Sequence, residues 1–118
     1  MAKEWAEADW PDEVREAYRR SAVSRAYYAM YCTARDKLHD AGRYNPSKCE
    51  STHLHVWNKY KEDREYPERE HIGRVGDRLQ KARIKADYHG LIDRFPELVD
   101  YAMADAEDLK DHLDDLTL

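Results

Sequence analysis

From Asp12 to Ala41 the chain contains neither glycine nor proline, and across its whole length four glycines and four prolines leave long runs rich in Ala, Glu, Arg, Lys and Leu. Such residues lose little on entering a helix. Nothing alternates with the period of two that a half-buried strand requires. The spacing of the breakers therefore predicts a helical fold.

The apolar residues agree. In the first run Val23, Tyr27, Met30, Tyr31, Ala34 and Leu38 recur at helical spacing, while Ser21, Arg25, Tyr28, Cys32 and Arg35 make a second, more polar face. Pro11 suits a first-turn position, Asp12 and Glu13 complement the helix dipole, and Gly42 supplies the stop. The stretch Arg43 to Glu50, with Asn45-Pro46-Ser47, reads as a loop. Ser51 or Thr52 then caps a shorter helix carrying Leu54, Trp57 and Tyr60. After Tyr66-Pro67 a third helix places Ile72, Val75, Leu79, Ala82 and Ala86 along one seam and ends at Gly90. Beyond Phe95-Pro96 a last helix carries Leu98, Ala102, Ala106, Leu109, Leu113 and Leu116 on one side and acidic residues on the other. The expectation is an all-α helical bundle forming a single domain over residues 1–118.

At 118 residues the chain has room for one core and not for two. Charged residues make up 38% and the mean hydropathy is −1.04. The 42% hydrophobic share nevertheless includes nine tyrosines and three tryptophans, enough to seed packing, so global disorder is not expected. Met1 to Trp10 carries Lys3, Glu4, Glu7 and Asp9, which excludes the apolar core of a signal peptide, and no stretch is apolar enough to span a bilayer. Cys32 and Cys49 lack paired spacing, which fits a reduced, cytoplasmic compartment.

A net charge of −5 argues against non-specific nucleic-acid binding. The charge is uneven, however. Arg69, Arg74, Arg78, Lys81, Arg83 and Lys85 face only Glu70 and Asp77 within their stretch, and the chain turns acidic from Asp93 onward. A local basic strip is compatible with this pattern.

Several constellations invite chemistry and most dissolve. In Cys49-x3-His53-x-His55 the two histidines would point about 200° apart on a helix, and no second cluster stands at recognisable ligand spacing, so no metal or other cofactor is expected. Gly73-Arg74-Val75-Gly76 lacks the preceding strand and the Gly-Lys-Ser/Thr ending of a phosphate loop. No carboxylate pair or nucleophile elbow stands out.

What remains is Arg83-Ile-Lys-Ala-Asp87-Tyr88-His89. A histidine of near-neutral pKa can move the proton of an RNA 2′-hydroxyl or leaving group while an arginine steadies the charge developing on phosphate oxygens. On an ideal helix His89 lies about 120° around the axis from Arg83, so a bend or a partner subunit would have to unite them. Asp87, one turn after Arg83, offers a plain intrahelical ion pair as the alternative role for that arginine. Tyr88 and His89 could equally pack or cap.

Ser21-Ala-Val-Ser-Arg-Ala-Tyr-Tyr-Ala-Met-Tyr31 followed by Ala82-Arg-Ile-Lys-Ala-Asp-Tyr88 resembles the two signatures of HEPN-domain proteins, in particular their small stand-alone prokaryotic branch. Thr52-His-Leu-His-Val-Trp57 is similar to that branch's intervening stretch. The resemblance implies a four- to five-helix up-and-down bundle that works as a homodimer, with a nucleotidyltransferase antitoxin or another defence component as a possible partner. Active members are metal-independent endoribonucleases whose motif is an arginine followed four to six residues later by a histidine, and two such motifs meet across the dimer cleft. By that resemblance Arg83 and His89 would be catalytic, with Asp87, Tyr88, Ser24, Arg25 and Tyr28 in support or contacting RNA. Ile84 departs from the pattern, since active members usually carry Asn, Asp or His directly after the arginine. The alternative is a HEPN interaction module without catalysis.

Overall fold

The computed structural model describes residues 9–43, 52–90, 92 and 94–118. It is an all-α four-helix bundle with no strand among the described residues. Helix α1 spans Asp12–Asp40, α2 Thr52–Glu62, α3 Pro67–Tyr88 and α4 Phe95–Asp114. Residues 1–8 of the charged start, the Asn45-Pro46-Ser47 loop, Cys49 and the Ser51 cap lie outside the described residues.

The breakers act where expected. Pro11 precedes the first helical residue, Gly42 takes a left-handed φ of 72° after α1, and a proline sits in the first turn of both α3 and α4. Helix α3 stops at Tyr88, with His89 extended at its C-cap just before the Gly90 expected to end it.

The predicted stripes form the core. Val23, Tyr27, Tyr31, Ala34 and Leu38 of α1 meet Ile72, Val75, Leu79 and Ala86 of α3, together with Ala102, Ala106, Leu109 and Leu113 of α4. Helix α2 differs from expectation. Trp57 and Tyr60 are buried as anticipated, but Val56 joins them while Leu54 is 47% exposed. Val56, His53 and Tyr60 fall on one side of Trp57 around the helix, and Leu54 falls roughly 60° to the other. Each α2 position was therefore selected by its angle to the indole and not by hydrophobicity alone.

Contacts fix the helix directions. Arg20 near the start of α1 reaches carbonyls at the end of α3, so these two helices run oppositely. Arg69 at the start of α3 reaches the Thr117 carbonyl beyond α4, so α3 and α4 also run oppositely. Tyr27 meets His53 and Ala34 meets Tyr60, which makes α1 and α2 parallel. Direction thus alternates from α2 through α4, with α1 lying alongside α2. At the far end Asp63 accepts from Arg43 at 2.7 Å and from Arg69 at 3.3 Å. The bond from Arg43, ahead of the second arginine, holds its carboxyl below the usual range. No helix among the described residues is long and apolar enough to cross a membrane.

Candidate functional site

Arg83 is the single charged residue buried among the described ones, with 9% of its side chain exposed. The apolar seam of α3 places it on the inward face, where its guanidinium carbon lies 5.3 Å from the Tyr27 ring centroid and 5.2 Å from that of Tyr28. Both rings offer their faces to the cation. One guanidinium nitrogen reaches Asp87 at 3.4 Å, a long contact, and Nε is buried with no hydrogen-bond partner. The charge is thus desolvated and only partly compensated.

Around it stand two further layers. Ser24 Oγ donates to Asp87 at 3.4 Å, so α1 and α3 share that carboxylate. On the other side Trp57 Nε1 donates to the Tyr27 hydroxyl at 3.1 Å, and that hydroxyl lies 2.7 Å from His53 Nδ1. A single direction of donation, from indole to phenol to imidazole, uses each proton once and leaves the His53 proton on Nε2. The His53 ring stacks on Tyr31 with centroids 4.0 Å apart. Burial first, then the cations Arg83 and Arg35, hold the His53 imidazole below its ordinary pKa, so it is neutral at pH 7. Burial likewise pushes the Tyr27 phenol upward, against its bond from Trp57.

The structure brings together Arg83, Asp87, Ser24 and Tyr28 of the residues singled out in the sequence. It does not bring in the others. Arg25 is exposed on α1, Tyr88 is 75% exposed, and no hydrogen bond, ion pair or ring contact among the described residues joins the His89 imidazole to Arg83. What fixes His89 is its backbone. The guanidinium of Arg20 donates to the carbonyls of Ala86 at 2.8 Å, His89 at 2.5 Å and Gly90 at 2.8 Å, neutralising the carbonyl-rich end of α3.

His53 and Arg20 are the residues that sequence reasoning missed. His53 was weighed only as a partner for Cys49 and His55. Its spacing of four before Trp57, one turn along the same helix face, is the signal that it packs inward with the indole. The spacing of Arg20 signals only its ion pair with Glu16, four residues earlier at 2.8 Å, because the α3 carbonyls it reaches are backbone atoms far away in sequence.

The basic strip is largely neutralised. Arg69 pairs with Asp63, Arg74 with Glu70, Arg78 with Asp105 at 2.7 Å and Lys81 with Asp77 at 3.2 Å. Arg78, Lys81 and Lys85 do border an open groove of about 650 Å³ between α3 and α4, beside Leu98 and Tyr101. The Gly73 and Gly76 pair has a structural role, letting α3 approach Trp57 of α2. Comparison of the chain with protein-family models, curated proteins and solved structures finds no match.

Proposed function

We propose that the chain is a HEPN-type protein acting as a homodimer, and that it cleaves RNA without a metal at a cleft centred on Arg83. The observation that carries this reading is the incomplete pairing of a buried cation. Desolvating a guanidinium costs several kcal/mol, and a carboxylate at 3.4 Å offsets only part of it. A phosphate oxygen would supply the missing partner, and Tyr28, 43% exposed, borders the site with an aromatic face on which a base can stack.

In this reading Arg83 binds the scissile phosphate, Asp87 orients it, and Ser24 and Tyr28 flank it. His89 moves protons, reaching the phosphate across the dimer, since within one chain its imidazole does not meet Arg83. One imidazole takes the 2′-hydroxyl proton as the 2′-oxygen attacks phosphorus, and the other returns a proton to the departing 5′-oxygen. The products are a 2′,3′-cyclic phosphate and a free 5′-hydroxyl. A nucleotidyltransferase or similar defence partner would then hold the activity in check.

The second reading, an interaction module without catalysis, is favoured by that separation of His89 from Arg83. Incubating the protein with transfer and messenger RNA in excess EDTA, beside R83M and H89A, distinguishes the two. The ribonuclease reading expects cyclic-phosphate ends from the parent and from neither variant. Absence of cleavage by the parent, or equal cleavage by both variants, leaves the interaction module standing.

A further inference from the structure

At the opposite end of α3 from Arg83, roughly 18 Å along the axis, a second polar cluster joins α3 to α4. Glu68 and His71 stand three residues apart on α3, and Asp108 and His112 stand four apart on α4. Both spacings put their pair on one helix face. His71 Nε2 lies 2.6 Å from one Asp108 oxygen, and His112 Nε2 lies 3.4 Å from the other. The two rings have centroids 4.8 Å apart. One ligand atom from each of His71, Asp108 and His112 falls within 4.8 Å of the others.

We propose that His71, Asp108 and His112 bind a divalent transition metal of the zinc class, clipping α3 to α4. Two imidazoles and one carboxylate are a donor set such ions prefer. In a tetrahedral site with metal–nitrogen bonds of about 2.0–2.1 Å, ligand atoms stand roughly 3.3 Å apart. The present separations bracket that value, so rotamer adjustments without helix movement bring the three into place.

Glu68 orients the second imidazole of the cluster. Its carboxylate lies 3.2 Å from His112 Nδ1. With a neutral ring and the Nδ1 proton donated to Glu68, the lone pair on His112 Nε2 faces the Asp108 oxygen, a conflict that either a second ring proton or a metal ion between them relieves. A cation between them satisfies both. The histidine whose far nitrogen is held by a carboxylate is the arrangement that orients metal-bound imidazoles. The side chains are 36–46% exposed, so an ion can enter from solvent and a fourth position stays open to water or an exogenous ligand.

The test uses the full chain, stripped with EDTA and dialysed. Zn²⁺ is titrated by calorimetry, and Co²⁺ by visible absorption, where intense d–d bands report a low-coordinate site. One equivalent per chain is expected, with binding abolished in H71A and in H112A. Glu68→Gln should weaken it on the order of ten-fold. H39A, on an exposed α1 histidine, serves as the control that binds normally. Selective movement of the His71 and His112 ring resonances of the unsubstituted protein on adding Zn²⁺ reads the same site without any variant. Absence of saturable binding, resonance shifts confined to other histidines, or binding undiminished in both variants would overturn the proposal and leave the cluster as charge pairs alone.

Discussion

The indole of Trp57 fills the notch that Gly76 leaves in α3. A β-carbon built at Gly76 would overlap the six-membered part of that ring, and one at Gly73 would collide with the Trp57 carbonyl. The two glycines one turn apart let α2 lie against α3 at close range, and the indole holds the Tyr27 hydroxyl from that position. The packing of α2 thereby sets the wall of the Arg83 site.

Gly76→Ala should consequently destabilise the fold by about 1–3 kcal/mol, because a rigid ring and helix backbone must give way. Gly90→Ala, where nothing lies within 4 Å, is the comparison and should change stability little. Urea denaturation midpoints of the two variants check this. Equal midpoints would show that α2 can shift without cost.

Arg83→Met should leave stability unchanged or raise it, because it removes a buried charge whose pairing is incomplete while filling similar volume. Thermal denaturation measures the effect, and under the ribonuclease reading RNA cleavage measured alongside should disappear. A loss of more than about 3 kcal/mol would instead mark Arg83 as half of a tightly coupled buried pair, and the functional argument from its poor pairing would fall.

His53 gives the fold a dependence on pH. Its folded pKa lies below the unfolded one, so the unfolded state binds more protons as pH falls. The contribution is fully present above the ordinary histidine value of about 6.5 and is lost as pH drops through that value toward the folded one. Stability should decline from pH 7 to pH 5. His53→Asn, which keeps an acceptor for Tyr27 but does not titrate, should flatten that decline. An unchanged slope would place the titrating group elsewhere.

Arg20→Ala should fray the end of α3. Its guanidinium supplies three carbonyls at that terminus with donors and lies 5.3 Å from the Phe95 ring centroid at the start of α4. A cost of roughly 1–2 kcal/mol is expected from lost charge-assisted bonds and dipole pairing. Faster hydrogen exchange at the His89 amide, which now bonds the Lys85 carbonyl, would report it locally. Under the ribonuclease reading the same variant also slows cleavage, since it releases the backbone that positions His89. Unaltered exchange would show that α3 holds its end without Arg20.

The breakers and the stripes made the helices legible. Pro11, Gly42, Pro67 and Pro96 mark boundaries through backbone geometry that each residue imposes by itself, and the stripes of α1, α3 and α4 declared their buried faces through period alone. Leu54 misled, because in an eleven-residue helix one large ring decides the buried arc, and at the start of α4 Val99 packs against the core where Leu98 was expected.

Side-chain partners between helices were another matter. The pairing of Arg83 with Asp87 was readable because four residues span one turn, but its enclosure by Tyr27 and Tyr28 depends on how α1 meets α3. The same holds for His53 against Tyr31 and for His71 against Asp108 and His112, whose members lie far apart along the chain. Local periodicity fixes which way a residue faces on its own helix. Which residue it faces on another follows from the direction and packing angle of the two helices, and those are set by the whole core together.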